Sequence, residues 1–73
     1  MSVSMMTREE ISSLGLAHGD RVRVTWSGGN GPYEYTMIER NGSLYACDQW
    51  EIKNGSVDRM KTTFWMQHVE RVA

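Results

Sequence analysis

Cys47, His18 and His68 are the side chains of this sequence that could support nucleophilic chemistry. A thiol beside an imidazole can act as a nucleophile and base, so Cys47 and His68 form the one such pair to weigh. The alternative is favoured: a mid-strand cysteine packs as a small apolar residue, and His68 lies on the surface. One cysteine also excludes an intrachain disulfide and a thiolate zinc cluster. We therefore expect no catalytic residue, no metal site and no cofactor.

The carboxylates and the glycine-rich loop give no stronger signal of catalysis. Glu9 and Glu10 fit the start of a helix, where negative charge is favoured. Glu51 is expected to face Asp58 across a hairpin, and such a like-charge pair indicates exposure to solvent. The glycine-rich segment 27–32 lacks the Gly-Lys-Ser/Thr ending and the following helix of a phosphate-binding loop. The sequence therefore predicts a chain that binds rather than an enzyme.

Basic side chains are expected in two pairs, each on one face of a strand. These are Arg21 with Arg23 and Arg59 with Lys61. Together they could contact about four phosphates, which allows weak and salt-sensitive binding of RNA or DNA. The favoured alternative is an ion pair between Lys61 and Asp48 and a cation–π contact between Arg59 and Trp50. The chain has 8 basic and 9 acidic residues, unlike a typical nucleic-acid binder.

The aromatic residues point to a protein partner. Both faces of the expected sheet carry large apolar side chains, more than one small core can hide, and an exposed aromatic remainder is typical of a binding surface. The rings supply buried area, and an arginine supplies a bidentate contact to a partner carboxylate. The predicted partner-binding residues are Trp26, Tyr33, Tyr35, Trp50 and Arg59.

The chain is 73 residues long, which is enough for one domain with a modest core. We expect a flexible N-terminus over residues 1–6 and a single domain over residues 7–73. The apolar runs are too short for a membrane span or a signal peptide. A free thiol fits a reducing compartment, so the expected location is the cytoplasm.

A short helix and a first strand open the domain. Thr7 and Glu10 have the spacing of a capping box, and Gly15 suits the left-handed end of the helix. Residues 21–26 alternate between polar and apolar, which predicts a half-buried strand with Val22 and Val24 inward. A glycine-rich connection over 27–32 should follow it.

Two Asn-Gly dipeptides predict two tight hairpins. A second strand over 33–40 leads to Asn41-Gly42, and a long third strand over 43–53 leads to Asn54-Gly55. A fourth strand should run from residue 57 to about residue 63. A tight helical turn and a short strand over 69–72 then close the sheet.

The resulting fold is mainly β, an antiparallel meander of four or five strands with a short N-terminal helix. Gly19-Asp20-Arg21-Val22-Arg23-Val24 resembles the entry to the first strand of SH3-like barrels, including KOW-type modules. This resemblance implies that the meander is curled into a small barrel. The chain departs from the KOW pattern at Ser27–Gly31, so KOW function is not transferred residue by residue.

The whole chain also looks like a small phage-encoded transcription regulator that binds host RNA polymerase. This similarity lies in its size, its single domain and its KOW-like opening. It implies a protein partner, inhibition of initiation, antitermination and a location in the host cytoplasm. Two other classes stay open: a nucleic-acid module that uses the basic residues, and an oligomer that binds a small ligand. The sequence does not predict the oligomeric state.

Overall fold

The computed structural model describes residues 5–72, which form one four-stranded antiparallel sheet and two short helices. The order of strands across the sheet is β3-β2-β1-β4, so β4 joins the edge opposite to β3. The elements in chain order are α1 (Arg8–Ser13), β1 (Arg21–Trp26), β2 (Asn30–Arg40), β3 (Ser43–Cys47), α2 (Gln49–Asn54), a 3₁₀ turn (Thr63–Trp65) and β4 (Met66–Arg71).

Helix α1 begins as its sequence predicts. The Thr7 hydroxyl accepts the Glu10 N–H at 3.1 Å, and the Glu10 carboxylate accepts the Thr7 N–H at 2.9 Å. This reciprocal pair satisfies two backbone donors that the first helical turn leaves free. Ile11 is buried in the core, so the helix rests on the sheet through that side chain.

The N-terminus is held in place from Met6 onward. The Met6 N–H donates to the Gln67 carbonyl at 2.8 Å, and the Met6 sulfur accepts the Val69 N–H at 3.3 Å. Residues 1–4 of the predicted flexible segment lie outside the described residues.

Strand β1 is confirmed, with Val22 and Val24 fully buried. Two details of its surroundings were predicted wrongly. The predicted alternation of polar residues outward and apolar residues inward ends at Thr25, which is buried, because the register shifts beside Trp26 in both neighbouring ladders. The glycine-rich connection is also shorter than expected, because β2 already begins at Asn30. At Gly31, with a φ of 117°, a Cβ would lie 2.8 Å from the Val24 carbonyl oxygen, so glycine allows this close approach.

The first hairpin is confirmed. Asn41 and Gly42 have φ values of 53° and 81°, and Arg40 faces Ser43 as a two-residue turn requires. The ladder continues without a shift to Thr36 opposite Cys47. Local turn chemistry therefore sets the register of β2 and β3.

The second hairpin, the end of the third strand and the fourth strand were predicted wrongly. Strand β3 ends at Cys47, and helix α2 begins after Asp48, whose carboxylate accepts the Glu51 N–H at 2.8 Å. Asn54 ends this helix, and Gly55 is its left-handed cap with a φ of 68°. Asp48 is the N-cap of this helix and Gly55 is its left-handed C-cap, so the segment that was predicted to be strand and turn is helical. Trp50 therefore lies on α2 and Arg59 in a turn, and the cation–π contacts among residues 5–72 are those of Arg8 with Phe64 and of Lys61 with Tyr35 instead of the predicted one between Arg59 and Trp50.

The chain after α2 returns across the molecule to the other edge of the sheet. Thr62 forms a single bridge with Tyr45, and the Ala46 N–H donates to the Lys61 carbonyl at 2.8 Å. The predicted helical turn is the 3₁₀ turn, and the predicted closing strand is β4, which starts at Met66 and pairs with β1. The mainly β, antiparallel fold is confirmed. The predicted barrel is not, because one isolated bridge leaves the sheet open.

The core lies between α1 and one face of the sheet. All four strands contribute to it, which ties the sheet into one unit. Its buried apolar members are Ile11, Val22, Val24, Met37, Ala46, Met66 and Val69.

Candidate binding site

Trp26 and Tyr35 form a fixed pair where β1 ends beside β2. Their rings meet edge to face, with centroids 5.6 Å apart and planes at 68°. The Trp26 indole N–H donates to the Tyr35 hydroxyl at 3.0 Å. An edge-to-face contact and a hydrogen bond restrict both rings to one arrangement. The two residues are half-buried, so their remaining surface faces solvent in a defined position.

Lys61 extends this pair toward helix α2. Its ammonium lies 5.2 Å from the centre of the Tyr35 ring, and it donates to the Glu51 carboxylate at 2.7 Å. Burial lowers the pKa of Lys61, but the hydrogen bond and charge of Glu51 outweigh it, so the pKa is raised overall. Lys61 therefore stays charged and joins the aromatic pair to α2.

Glu51 is buried and pairs with Lys61, which corrects the expectation that it faces Asp58 in solvent. The predicted contact between Lys61 and Asp48 is present at 3.9 Å. It is longer than the contact with Glu51, so Glu51 is the main partner of this lysine.

A second aromatic pair comes from the 3₁₀ turn. Phe64 and Trp65 also meet edge to face, with centroids 4.9 Å apart. The Ser27 N–H and hydroxyl both donate to the Trp65 carbonyl at 3.0 Å, which fixes the turn beside the end of β1. This contact brings Trp65 next to Trp26, although 39 positions separate them in the chain.

These elements together form an open depression of about 360 Å³, which we call the aromatic cleft. Met60 and Trp65 border it with exposed fractions of 58% and 38%. A large apolar surface at a concave site on so small a domain is typical of a binding surface. The cleft is lined by Trp26, Ser27, Tyr35, Met60, Lys61 and Trp65.

The other predicted partner-binding residues lie outside the cleft. Tyr33 is 54% exposed on β2, and Trp50 is 67% exposed on α2. Arg59 is exposed in the turn before Met60. Trp50 and Tyr35 line a second depression of about 630 Å³, which we call the edge groove. The predicted residues therefore do not form one site: the cleft and the edge groove are neighbouring surfaces that share Tyr35, and Tyr33 and Arg59 line neither of them.

The basic residues proposed for nucleic acid lie close to carboxylates. Arg23 donates to Glu34 and to Glu70, both at 3.2 Å, and these hydrogen bonds and charges raise its pKa. Arg21 lies 3.5 Å from Glu34. With Lys61 bound to Glu51, three of the four predicted contacts to phosphate are already paired with acids. This pairing lowers the positive potential that a phosphate backbone needs.

Cys47 and His68 do not form a nucleophile–base pair. Cys47 is on β3 and His68 is on β4, the two outer strands of the sheet. Cys47 is buried, and burial raises the pKa of its thiol, which disfavours the reactive thiolate. His18 instead accepts the Glu39 N–H at its Nδ1 atom.

Sequence reasoning missed Trp65 and Met60 as members of the site. Two signals were available. Asp48 and Glu51 have the capping-box spacing that was applied to Thr7 and Glu10, so a helix there could have been predicted. Such a helix moves Met60 out of a strand. No local signal, however, places Trp65 beside Trp26.

Comparison of the chain with protein families, with curated proteins and with solved structures yields no significant match. The resemblances to KOW-type modules and to a phage regulator therefore stay predictions.

Within residues 5–72, no three His, Cys, Asp or Glu side chains are grouped as a metal site. In that same part of the chain, neither helix has the length and apolar character needed to cross a bilayer.

Proposed function

We propose that this chain is a non-enzymatic protein-binding module whose aromatic cleft receives an apolar side chain of the partner. The observation that carries the proposal is a concave aromatic surface that is open to solvent and yet held rigidly. Trp26 and Tyr35 are fixed by their mutual hydrogen bond. The backbone of Trp65 is fixed through Ser27, and its ring packs edge to face against Phe64. Rings held in place before binding lose little conformational entropy when a partner arrives.

Paired charges support a protein partner over a nucleic acid. Acids lie beside Arg21, Arg23 and Lys61, so their charge is largely offset. A nucleic-acid module gains its affinity from positive groups that release counterions from phosphates. An aromatic cleft gains affinity from buried apolar area, which depends little on salt.

A narrower proposal follows from the sequence resemblance to phage regulators. The partner would be bacterial RNA polymerase, and binding would inhibit initiation and promote antitermination in the host cytoplasm. The direct test is transcription from a promoter by purified RNA polymerase with and without the chain. Unchanged initiation and termination would remove RNA polymerase while leaving the binding module itself open.

Capture from a bacterial lysate by the immobilised chain tests the broader proposal, with partners identified by mass spectrometry. The informative variants are Trp65→Ala and Met60→Glu, which change the cleft, and Ile52→Ala, which removes an apolar side chain that is 44% exposed on α2 and lines neither the cleft nor the edge groove. We expect a partner that the wild type and Ile52→Ala retain and that both cleft variants lose. Circular dichroism of each variant checks that the fold is intact.

Nuclease treatment and salt separate the two classes of partner. Capture through the cleft should survive nuclease and change less than about threefold between 50 and 200 mM salt. Capture that nuclease abolishes, or that falls at least about tenfold over this range, would favour the nucleic-acid module. Equal capture by wild type and both cleft variants would contradict a role for the cleft.

A further inference from the structure

Strand β2 has one edge that is only half covered. It runs over Asn30–Arg40, but its ladder with β3 includes only residues 36–40. On its other side, β1 pairs along β2 from Asn30 to Thr36. The part of β2 before Thr36 therefore has a neighbour on one side and, among residues 5–72, no strand on the other.

The direction of the backbone groups on this half of β2 follows from its neighbours. The Met37 N–H donates to the Asp20 carbonyl, and the Met37 carbonyl accepts the Gly19 N–H, so Met37 faces β1. Successive residues of a strand direct these groups to alternate sides. The Glu34 N–H and carbonyl and the Pro32 carbonyl therefore face the open edge. Together they offer one donor and two acceptors.

The edge groove lies over one face of the sheet beside this open edge. It is lined by Arg21 of β1, by Glu34 and Thr36 of β2, and by Asp48 and Trp50 at the start of α2. The groove exists because the chain leaves the sheet after Cys47 and turns into α2. Two exposed rings flank the edge, one on each face of the sheet. Trp50 borders the groove, and Tyr33 lies on the core face, because it is paired with the buried Val24.

We propose that this open edge of β2 binds an extended segment of a partner protein as an added strand. Unpaired backbone groups on an edge strand are a template for such addition, and side chains on either face of the added strand can contact exposed rings. Tyr33 and Trp50, which lie outside the aromatic cleft, would contact alternate faces of this strand. The added strand is thus a second contact, and the groove beside it shares only Tyr35 with the aromatic cleft.

Geometry favours a partner segment over a second copy of this chain. Glu34 lies 3.5 Å from Arg21 and 3.2 Å from Arg23, so its charge is already offset and does not choose the occupant. In two copies paired antiparallel about Glu34, Pro32 of each copy would face Thr36 of the other on the side that Cys47 already occupies. A partner segment without a third strand of its own meets that obstacle on one side only.

Pro32 limits the length of the added strand. Its nitrogen faces the open edge and carries no hydrogen, so the partner gains no donor there. The addition is therefore short and centred on Glu34.

Hydrogen exchange of single amides in the free protein tests whether the edge is open. We expect the Tyr35 N–H, which faces β1, to exchange at least about 100-fold more slowly than the Glu34 N–H. Equal protection of the two amides would show that the edge is already covered, and it would overturn the proposal.

Peptides selected from a display library of random ten-residue segments on the immobilised wild type test the binding itself. Glu34→Pro removes the outward N–H and leaves the ladder with β1 intact, while Glu34→Ala keeps this N–H and loses only the carboxylate. We expect Glu34→Pro to weaken the selected peptides at least about tenfold and Glu34→Ala less than about threefold. Equal losses would overturn strand addition, and Trp65→Ala should leave these peptides bound even if the cleft proposal fails.

Sedimentation of the wild type tests the second-copy alternative. We expect a monomer. A dimer that Glu34→Pro dissociates would show that the edge pairs with another copy, which would overturn the partner segment.

Discussion

The dipeptide Asn-Gly occurs twice in this chain and has two different structures. At Asn41-Gly42 both residues have positive φ values, 53° and 81°, and they turn one strand into the next. At Asn54-Gly55 only Gly55 has a positive φ, 68°, and the pair ends helix α2. A left-handed glycine serves both a hairpin and a helix end, so the dipeptide alone does not choose between them.

The residues before each dipeptide make the choice. Residues 36–40 pair in register with 43–47, so the first dipeptide connects two strands. Before the second, Asp48 and Glu51 form a capping box that starts a helix six residues ahead of Gly55. The comparison teaches that a turn signal should be read only after the nearest helix N-cap has been excluded.

Among the variants that test this difference between the two dipeptides, Glu51→Ala should lower the free energy of unfolding most. Its carboxylate accepts the Asp48 N–H at 3.1 Å and the Lys61 ammonium at 2.7 Å. Glu51→Ala leaves a half-buried cation without its main partner and weakens the start of α2. We expect a loss of about 2–3 kcal/mol in the free energy of unfolding, measured by urea denaturation.

Glu10→Ala is the matched control for Glu51→Ala. Glu10 occupies the same position in the capping box of α1, but it is exposed and caps only the helix. We expect less than half of the loss seen for Glu51→Ala. Equal losses would contradict the role given to Lys61.

Alanine at the two glycines should cost nearly the same at both sites. A Cβ at Gly42 or Gly55 meets no atom within 4 Å, so the cost comes from the left-handed backbone alone. We expect each of Gly42→Ala and Gly55→Ala to lower the free energy of unfolding by about 1–2 kcal/mol. A neutral result at Gly55, measured by the same denaturation, would contradict its left-handed cap.

Alanine substitutions at Asn41 and Asn54 should lower the stability by different amounts. Asn41 has a left-handed backbone that asparagine tolerates better than alanine, so we expect Asn41→Ala to lose about 1 kcal/mol. Asn54 is helical, and its exposed hydrogen bond to the Trp50 carbonyl is offset by the better helix propensity of alanine. Asn54→Ala should change stability by less than about 0.5 kcal/mol. Thermal unfolding of both variants checks the difference, and equal losses would indicate a second hairpin.

The smallest expected effect is a change in the stability contributed by Lys61, and it occurs only at alkaline pH. The raised pKa of Lys61 means that its contribution to stability is complete below the unfolded value of 10.5 and is lost as pH rises through the folded value. The stability difference between wild type and Glu51→Gln should therefore be constant from about pH 7 to pH 9 and narrow above about pH 10.5. Urea denaturation across this range measures the difference. A difference that narrows already between pH 7 and pH 9 would contradict the ion pair.

The aromatic cleft was predicted from the sequence only in part. Trp26 and Tyr35 were named as partner-binding residues and Lys61 as a possible contact to nucleic acid, because aromatic and basic side chains in a small domain stand out by type. Their meeting with Met60 and Trp65 depends on a crossing from β3 to the far edge of the sheet. Contacts over such distances in the chain leave no periodic pattern in the sequence.

The sequence by itself determined the elements whose causes are local. The Thr7–Glu10 capping box, the alternation in β1 and the Asn41-Gly42 turn each act over a few residues, so they can be read from neighbours alone. Tertiary structure alone decided that residues 48–65 contribute only the bridge at Thr62 to the sheet, that the sheet stays open, and that half an edge of β2 is uncovered. These outcomes depend on contacts that form only on folding, above all the ion pair of Glu51 with Lys61 and the hydrogen bond from Ser27 to the Trp65 carbonyl.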